Sequence, residues 1–163
     1  MRFPMVVILA LPLLAAAPVP EAPAQLGRFG DFTYDASTYA VEGEGGRYTA
    51  RNRRERDDDQ MMIVTIRDAP VSECSMAKLQ AEAAGRRGDR ADQTQRMISR
   101  DGFEIQLVSW YLGCRNARPP SVLACTAYRG RVYRFEAMSI GCRGGPGFGS
   151  RPDGFLGSLA PAP

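Results

Sequence analysis

Between Phe103 and Ile140 the chain reads as three strands, "GFEIQLVSWYLG", "SVLACTAY" and "RVYRFEAMSI". In the first, Phe103, Ile105 and Leu107 alternate with Glu104 and Gln106. That period of two turns one face of a strand toward a core and the other toward water. Arg129-Gly130 has the form of a two-residue hairpin turn between the second and third strands. Such a turn sets the register: Tyr128 faces Arg131, and Cys125 faces Arg134. The result is an antiparallel meander, and the rest of the chain has to pack against it.

Upstream, "STYAVEGEGGRYTARN" reads as a hairpin with its turn at "GEGG", Tyr39 and Val41 on one arm and Tyr48 and Ala50 on the other. "MMIVTI", 61–66, is a short apolar run suited to a buried strand. In "APVSECSMAKLQAEAAGRRG" the spacing of Met76, Leu79 and Ala83 predicts a helix. Ser72 is its N-cap, Glu73 lies in its first turn and Gly85 follows its end. The polar stretch 86–101 either extends that helix or holds a strand around Arg96 to Ser99. "DGFLGSLA" predicts a short helix with Asp153 as N-cap and Phe155, Leu156 and Leu159 on one face. The predicted fold class is α+β: an antiparallel sheet, with the C-terminal three-strand meander in it, helices packed on it and disulfides stabilising it.

The N-terminus carries one positive residue, Arg2, an apolar run from Met5 to Ala17, and Ala22-Pro23-Ala24. This is the pattern of a cleaved secretory signal peptide over residues 1–24. The apolar run would cover only ~20 Å as helix, short of the ~30 Å hydrocarbon core, and no later stretch is apolar enough to span a membrane. The expected organisation is signal peptide 1–24, N-terminal arm or short first strand 25–37, one α+β domain 38–160 and a tail 161–163. A periplasmic or extracellular location follows.

Cys74, Cys114, Cys125 and Cys142 are the four cysteines, and four allow three pairings. An oxidising compartment makes disulfides the expectation, and no close C-x₂-C pair points to zinc. The meander register places Cys142 eight residues beyond the partner of Cys125, ~26 Å along a strand. A disulfide needs Cα atoms within ~7 Å, so Cys125–Cys142 is disfavoured. Of the two remaining pairings, Cys114–Cys125 with Cys74–Cys142 is preferred, because the first bond bridges neighbouring strands through one turn.

Histidine is absent. This removes histidine-based zinc sites, Ser-His-Asp and Cys-His arrangements and a histidine general base. The basic residues are 20 Arg and one Lys, Lys78, spread along the chain, with a net charge of +3. A nucleic-acid footprint is clustered on one face, so no nucleic-acid partner is expected. Asp57, Asp58 and Asp59 lie among arginines without calcium-loop spacing. "GCRGGPGFGS" lacks the Gly-Lys-Ser/Thr of a phosphate loop. Ser75 and Lys78 have the Ser-x-x-Lys spacing without its partner motifs. No catalytic, metal or cofactor site is expected.

The best candidate partner-binding residues are Trp110, Tyr111, Arg115 and Arg118 in "SWYLGCRNARPP", residue types enriched at binding hot spots. Core packing of Trp110 is the competing expectation, since large aromatics are mostly buried.

The order "MMIVTI", helix, "GFEIQL", "VLACTAYRGRVYRFEAM" and "DGFLGSLA" resembles the layout of PsbP/Mog1-like domains over residues 38–160. The tight turn between Tyr128 and Phe135 and the late Ser158-Leu159 carry the likeness. The resemblance implies an antiparallel sheet between helical layers and an accessory, binding or assembly role more often than an enzymatic one. It transfers no functional residue. The expected function is a secreted or periplasmic accessory or binding domain of a bacterial envelope, without catalytic activity. Its partner would be an envelope protein or a cell-wall component. The alternative is a secreted enzyme inhibitor that uses the Cys-clamped turn 115–120, and a third class is a hydrolase with a carboxylate pair.

Overall fold

The computed structural model describes residues 25–54, 61–87, 93–100, 102–110, 121–137 and 152–163. The signal-peptide segment, the 55–60 charge run and the 141–150 glycine-rich stretch lie outside them. Ten strands occur in these residues: β1 (Leu26–Phe29), β2 (Phe32–Asp35), β3 (Tyr39–Glu44), β4 (Arg47–Asn52), β5 (Met61–Asp68), β6 (Gln93–Arg100), β7 (Phe103–Trp110), β8 (Ser121–Tyr128), β9 (Arg131–Ala137) and β10 (Ala160–Pro161). The helices are α1 (Met76–Arg87) and α2 (Pro152–Ser158), with a 3-10 turn at Val71–Glu73.

The meander is present as β7, β8 and β9. Its tight turn places Arg129 at φ 48° and Gly130 at φ 75°, the left-handed pair that a two-residue hairpin of this twist requires. Tyr128 therefore faces Arg131, and Cys125 faces Arg134. The whole sheet has seven antiparallel strands in the order β3-β4-β5-β9-β8-β7-β6. Strand β5 joins the meander on the outer side of β9, with Val64 opposite Phe135.

Residues 26–35 form the hairpin β1–β2, and β10 pairs with β2 at Thr33 and Phe32. This second, three-stranded sheet and α2 cover one face of the large sheet. Phe29, Phe32, Tyr34, Tyr39 and Phe155 fill the interface with Leu107, Ala124, Tyr133 and Phe135. Phe32 meets Tyr133 edge to face, with centroids 4.7 Å apart and planes at 82°; such pairs contribute ~0.5–1.5 kcal/mol beyond their area. The chain end is held too: Ala162 N–H donates to the Asp31 carbonyl at 2.8 Å. On the opposite face, Leu79 and Ala83 of α1 pack with Val108, Trp110, Leu123 and Val132.

The expected α+β architecture of helices packed on a sheet is overturned. The described residues are mostly β, in two antiparallel sheets, with only two short helices. Two segments account for the difference. The aromatics of 25–37 build a second sheet, and the 86–101 stretch gives β6 instead of more helix. Strand β6 is an edge strand paired only with β7, so its polar side chains meet water and display no alternation.

The start of α1 is corrected as well. Ser72 sits in the 3-10 turn, and Ser75 caps the helix: its Oγ accepts the Lys78 N–H at 3.4 Å and its carbonyl accepts the Leu79 N–H at 3.1 Å. Gly85 lies inside the helix, which runs to Arg87.

Candidate functional site

Cys74 follows the 3-10 turn, and Cys125 projects from β8 toward α1. They form a disulfide, with S–S 2.06 Å and Cα atoms 5.6 Å apart. Both are buried, at 8% and 2% exposure. The preferred pairing of Cys114 with Cys125 and Cys74 with Cys142 is thereby overturned. Cys125 lies four residues inside β8, opposite Gln106 of β7, while Cys114 is four residues beyond the end of β7. The segment leading into α1 passes over the middle of β8 and supplies the sulfur that bonds Cys125. Cys114 and Cys142 lie outside the described residues. Among the described residues, no group of three or more His, Cys, Asp or Glu side chains is placed to hold a metal ion.

Trp110 is 0% exposed and belongs to the core under α1, so it is not a surface anchor. Tyr111, Arg115 and Arg118 lie outside the described residues. Ser75 is a helix cap, and Lys78 donates to Glu73 at 2.6 Å. That ion pair holds the Glu73 carboxyl below its usual value, with Lys78 the main cause. Neither residue is arranged as nucleophile and base.

A polar cleft of about 230 Å³ opens where the β1–β2 turn, the β3–β4 turn and the ends of β5 and β9 meet; Gly30, Gly46, Tyr48, Ile66, Asp68 and Arg131 line it. The glycines are needed at both turns. Gly30 has φ +54° with Tyr133 against it, and Gly46 has φ +81° with the Ile66 carbonyl 2.7 Å from where a Cβ would stand. Next to Gly30 and Arg131, the Tyr133 hydroxyl donates to the Asp31 carboxylate and accepts the Asp31 backbone N–H at 2.9 Å. Arg131 stands between two carboxylates, 3.9 Å from Asp31 and 3.5 Å from Asp68. Arg129, over the Tyr128 ring at 5.3 Å, reaches to 4.0 Å from Asp31.

Burial, reinforced by the hydrogen bond to Asp31, pushes the Tyr133 phenol up to about 12. It stays protonated at neutral pH and serves as a donor, not a base. Arg67 and Arg131 line the cleft against the single carboxylate of Asp68, which leaves one positive charge in excess. The cleft therefore offers charged and hydrogen-bonding groups to a small polar ligand. Sequence reading missed this cluster because Asp31 and Tyr133 are 102 positions apart. The one available signal was Gly30-Asp31 between Phe29 and Phe32, the form of a two-residue hairpin turn.

No protein-family model matches the chain, and no curated protein does. The solution structure of PsbP (CyanoP) from Synechocystis sp. PCC 6803 matches at a TM-score of 0.49 and 15% identity, over 91% of this chain and 99% of that one.

Proposed function

We propose that this chain is a non-catalytic accessory or binding domain that works outside the cytoplasm, in the periplasm or cell envelope of a bacterium. The observation that carries this reading is the buried Cys74–Cys125 disulfide, because structural disulfides persist in oxidising compartments and are rare in the cytosol. The leader-like residues 1–24 support the same compartment. The absence of histidine from the sequence removes histidine-based catalysis and favours binding. The partner is an envelope protein or a cell-wall component. The inhibitor reading loses its main support, because Cys125 is bonded to Cys74 and does not clamp the 115–120 turn.

The test is to express the full chain in a Gram-negative host and fractionate the cells. A mature protein lacking residues 1–24, oxidised and released with the periplasm, is the expected result. Co-sedimentation with the membrane fraction or with isolated cell wall then identifies the partner class. An unprocessed chain with free thiols in the cytosol would overturn the reading, and abolished activity of a captured enzyme would restore the inhibitor.

A further inference from the structure

We propose that the cleft between the β1–β2 and β3–β4 turns binds a small organic monocarboxylate, with Arg131 taking the carboxylate and Asp68 as the anion it displaces. The proposal rests on the reading of this chain as a binding domain, and adds to it a site and a ligand class.

Arg131 opens β9 opposite Asp68, the last residue of β5, and its side chain is half-exposed. Its guanidinium lies 3.5 Å from Asp68 and 3.9 Å from Asp31. Both distances exceed the ~2.7–2.9 Å of a charge-assisted hydrogen bond, so neither carboxylate closes the guanidinium fork. Asp31 is committed elsewhere, since its carboxylate accepts the Tyr133 phenol. Asp68 is 90% exposed, so its ion pair is weak and it turns away into water at little cost. A guanidinium in that position takes a carboxylate through two parallel N–H···O bonds.

The rest of the lining sets the ligand's size and charge. Gly30 and Gly46 leave two sides of the cleft without side chains. Ile66 and the Tyr48 ring, which packs on Phe29 with centroids 5.9 Å apart, give apolar surface to a short stem. The volume of about 230 Å³ lies below the ~300–1,000 Å³ of pockets that enclose drug-sized ligands, so the carboxylate carries only a few carbons. One positive charge in excess at the lining suits a monoanion. A phosphate dianion would leave the cleft net negative and be repelled by Asp31 and Asp68.

The test is a ¹H–¹⁵N correlation titration of the purified protein with sodium butyrate, at an ionic strength held constant with sodium chloride. Saturable shifts of the Gly30, Gly46, Asp68 and Arg131 amide signals are expected, with a Kd on the order of 1 mM. Butyramide, the neutral isostere, should shift none of them, and inorganic phosphate should bind ~tenfold more weakly. Arg131→Gln should weaken butyrate binding ~tenfold. Asp68→Asn removes the competing carboxylate and should tighten it ~threefold. A misfolded variant does not gain affinity, so Asp68→Asn keeps the test decisive if Arg131→Gln fails to fold. The site is overturned by any of five results: no saturable shift with butyrate, equal shifts with butyramide, phosphate binding as tight as butyrate, undiminished binding by Arg131→Gln, or no gain in Asp68→Asn. The fractionation described above does not involve the cleft, so either reading can fail while the other stands.

Discussion

Tyr133 and Asp31 bond to each other twice: the phenol donates to the Asp31 carboxylate, and the Asp31 backbone N–H donates to the phenol oxygen. This closed pair fastens the turn of the small sheet to β9, the middle strand of the large one. Removing the hydroxyl leaves a partly buried carboxylate and a backbone N–H without that partner. Tyr133→Phe should lower stability by about 1–2 kcal/mol, measured as the urea midpoint with an unchanged m-value.

The same pair sets an alkaline limit. The phenol's folded value, about 12, lies above its ordinary 10.0. Its contribution is intact below pH 10 and is lost as pH rises from 10 toward 12, because the unfolded state releases the proton first. Titration of tyrosinate absorbance should show a component near pH 12 that Tyr133→Phe removes. An unchanged titration in the variant would refute the assignment.

Glu82 of α1 meets Arg134 of β9 and Arg86 of its own helix, and Arg86 also meets Glu136. Burial pushes Glu82 up, but the two arginines outweigh it and hold the carboxyl below its ordinary 4.5. Stability from this group is present above pH 4.5 and falls as pH drops through the folded value. Glu82→Gln should cost about 1 kcal/mol at pH 7, a modest figure because the pair is partly solvated. The variant should also flatten the acid side of the stability profile.

The Cys74–Cys125 bond joins residues 51 apart. The double variant Cys74→Ala, Cys125→Ala should lose ~2–4 kcal/mol. Calorimetry should show a lower Tm with the β-rich circular dichroism retained.

Two adjacent glycines separate conformation from contact. Gly45 has φ +61° and open space where a Cβ would go, while Gly46 has φ +81° and the Ile66 carbonyl there. Gly45→Ala should cost ~1 kcal/mol and Gly46→Ala ~2–3 kcal/mol, the excess being the backbone clash at the cleft. Equal losses in chemical denaturation would refute the contact.

Trp110, the one tryptophan, is sealed under α1. Native emission should be blue-shifted and inaccessible to iodide, and unfolding should move it to the red.

Legibility followed the range of each interaction. The meander and its register were readable because a two-residue turn and period-two alternation act between neighbours. The β3–β4 hairpin was readable for the same reason. Strand β6 was readable only as an alternative to more helix: with one partner and exposed side chains such as Met97, at 57% exposure, its hydrogen bonds to β7 leave no pattern in its own residues. The N-terminal aromatics looked like an arm because nothing local says what they cover. The disulfide misled for a related reason. Cys125 has its partner by virtue of where the segment before α1 crosses β8, a placement that spacing along the meander does not contain.

The residue order alone determined the β3–β4 hairpin, β5 and the β7–β9 meander, where Arg129-Gly130 reverses the chain, and that histidine chemistry is absent. These follow from alternation, turn stereochemistry and composition, which need no distant partner. Tertiary structure decided the second sheet over the aromatic face, the Cys74–Cys125 bond, the burial of Trp110 and the Asp31–Tyr133 cluster. Each of these depends on which surfaces meet once β5 pairs with β9 and α1 crosses β7 and β8. That choice is made by burying the most apolar area with every strand's hydrogen bonds satisfied, over the whole chain at once.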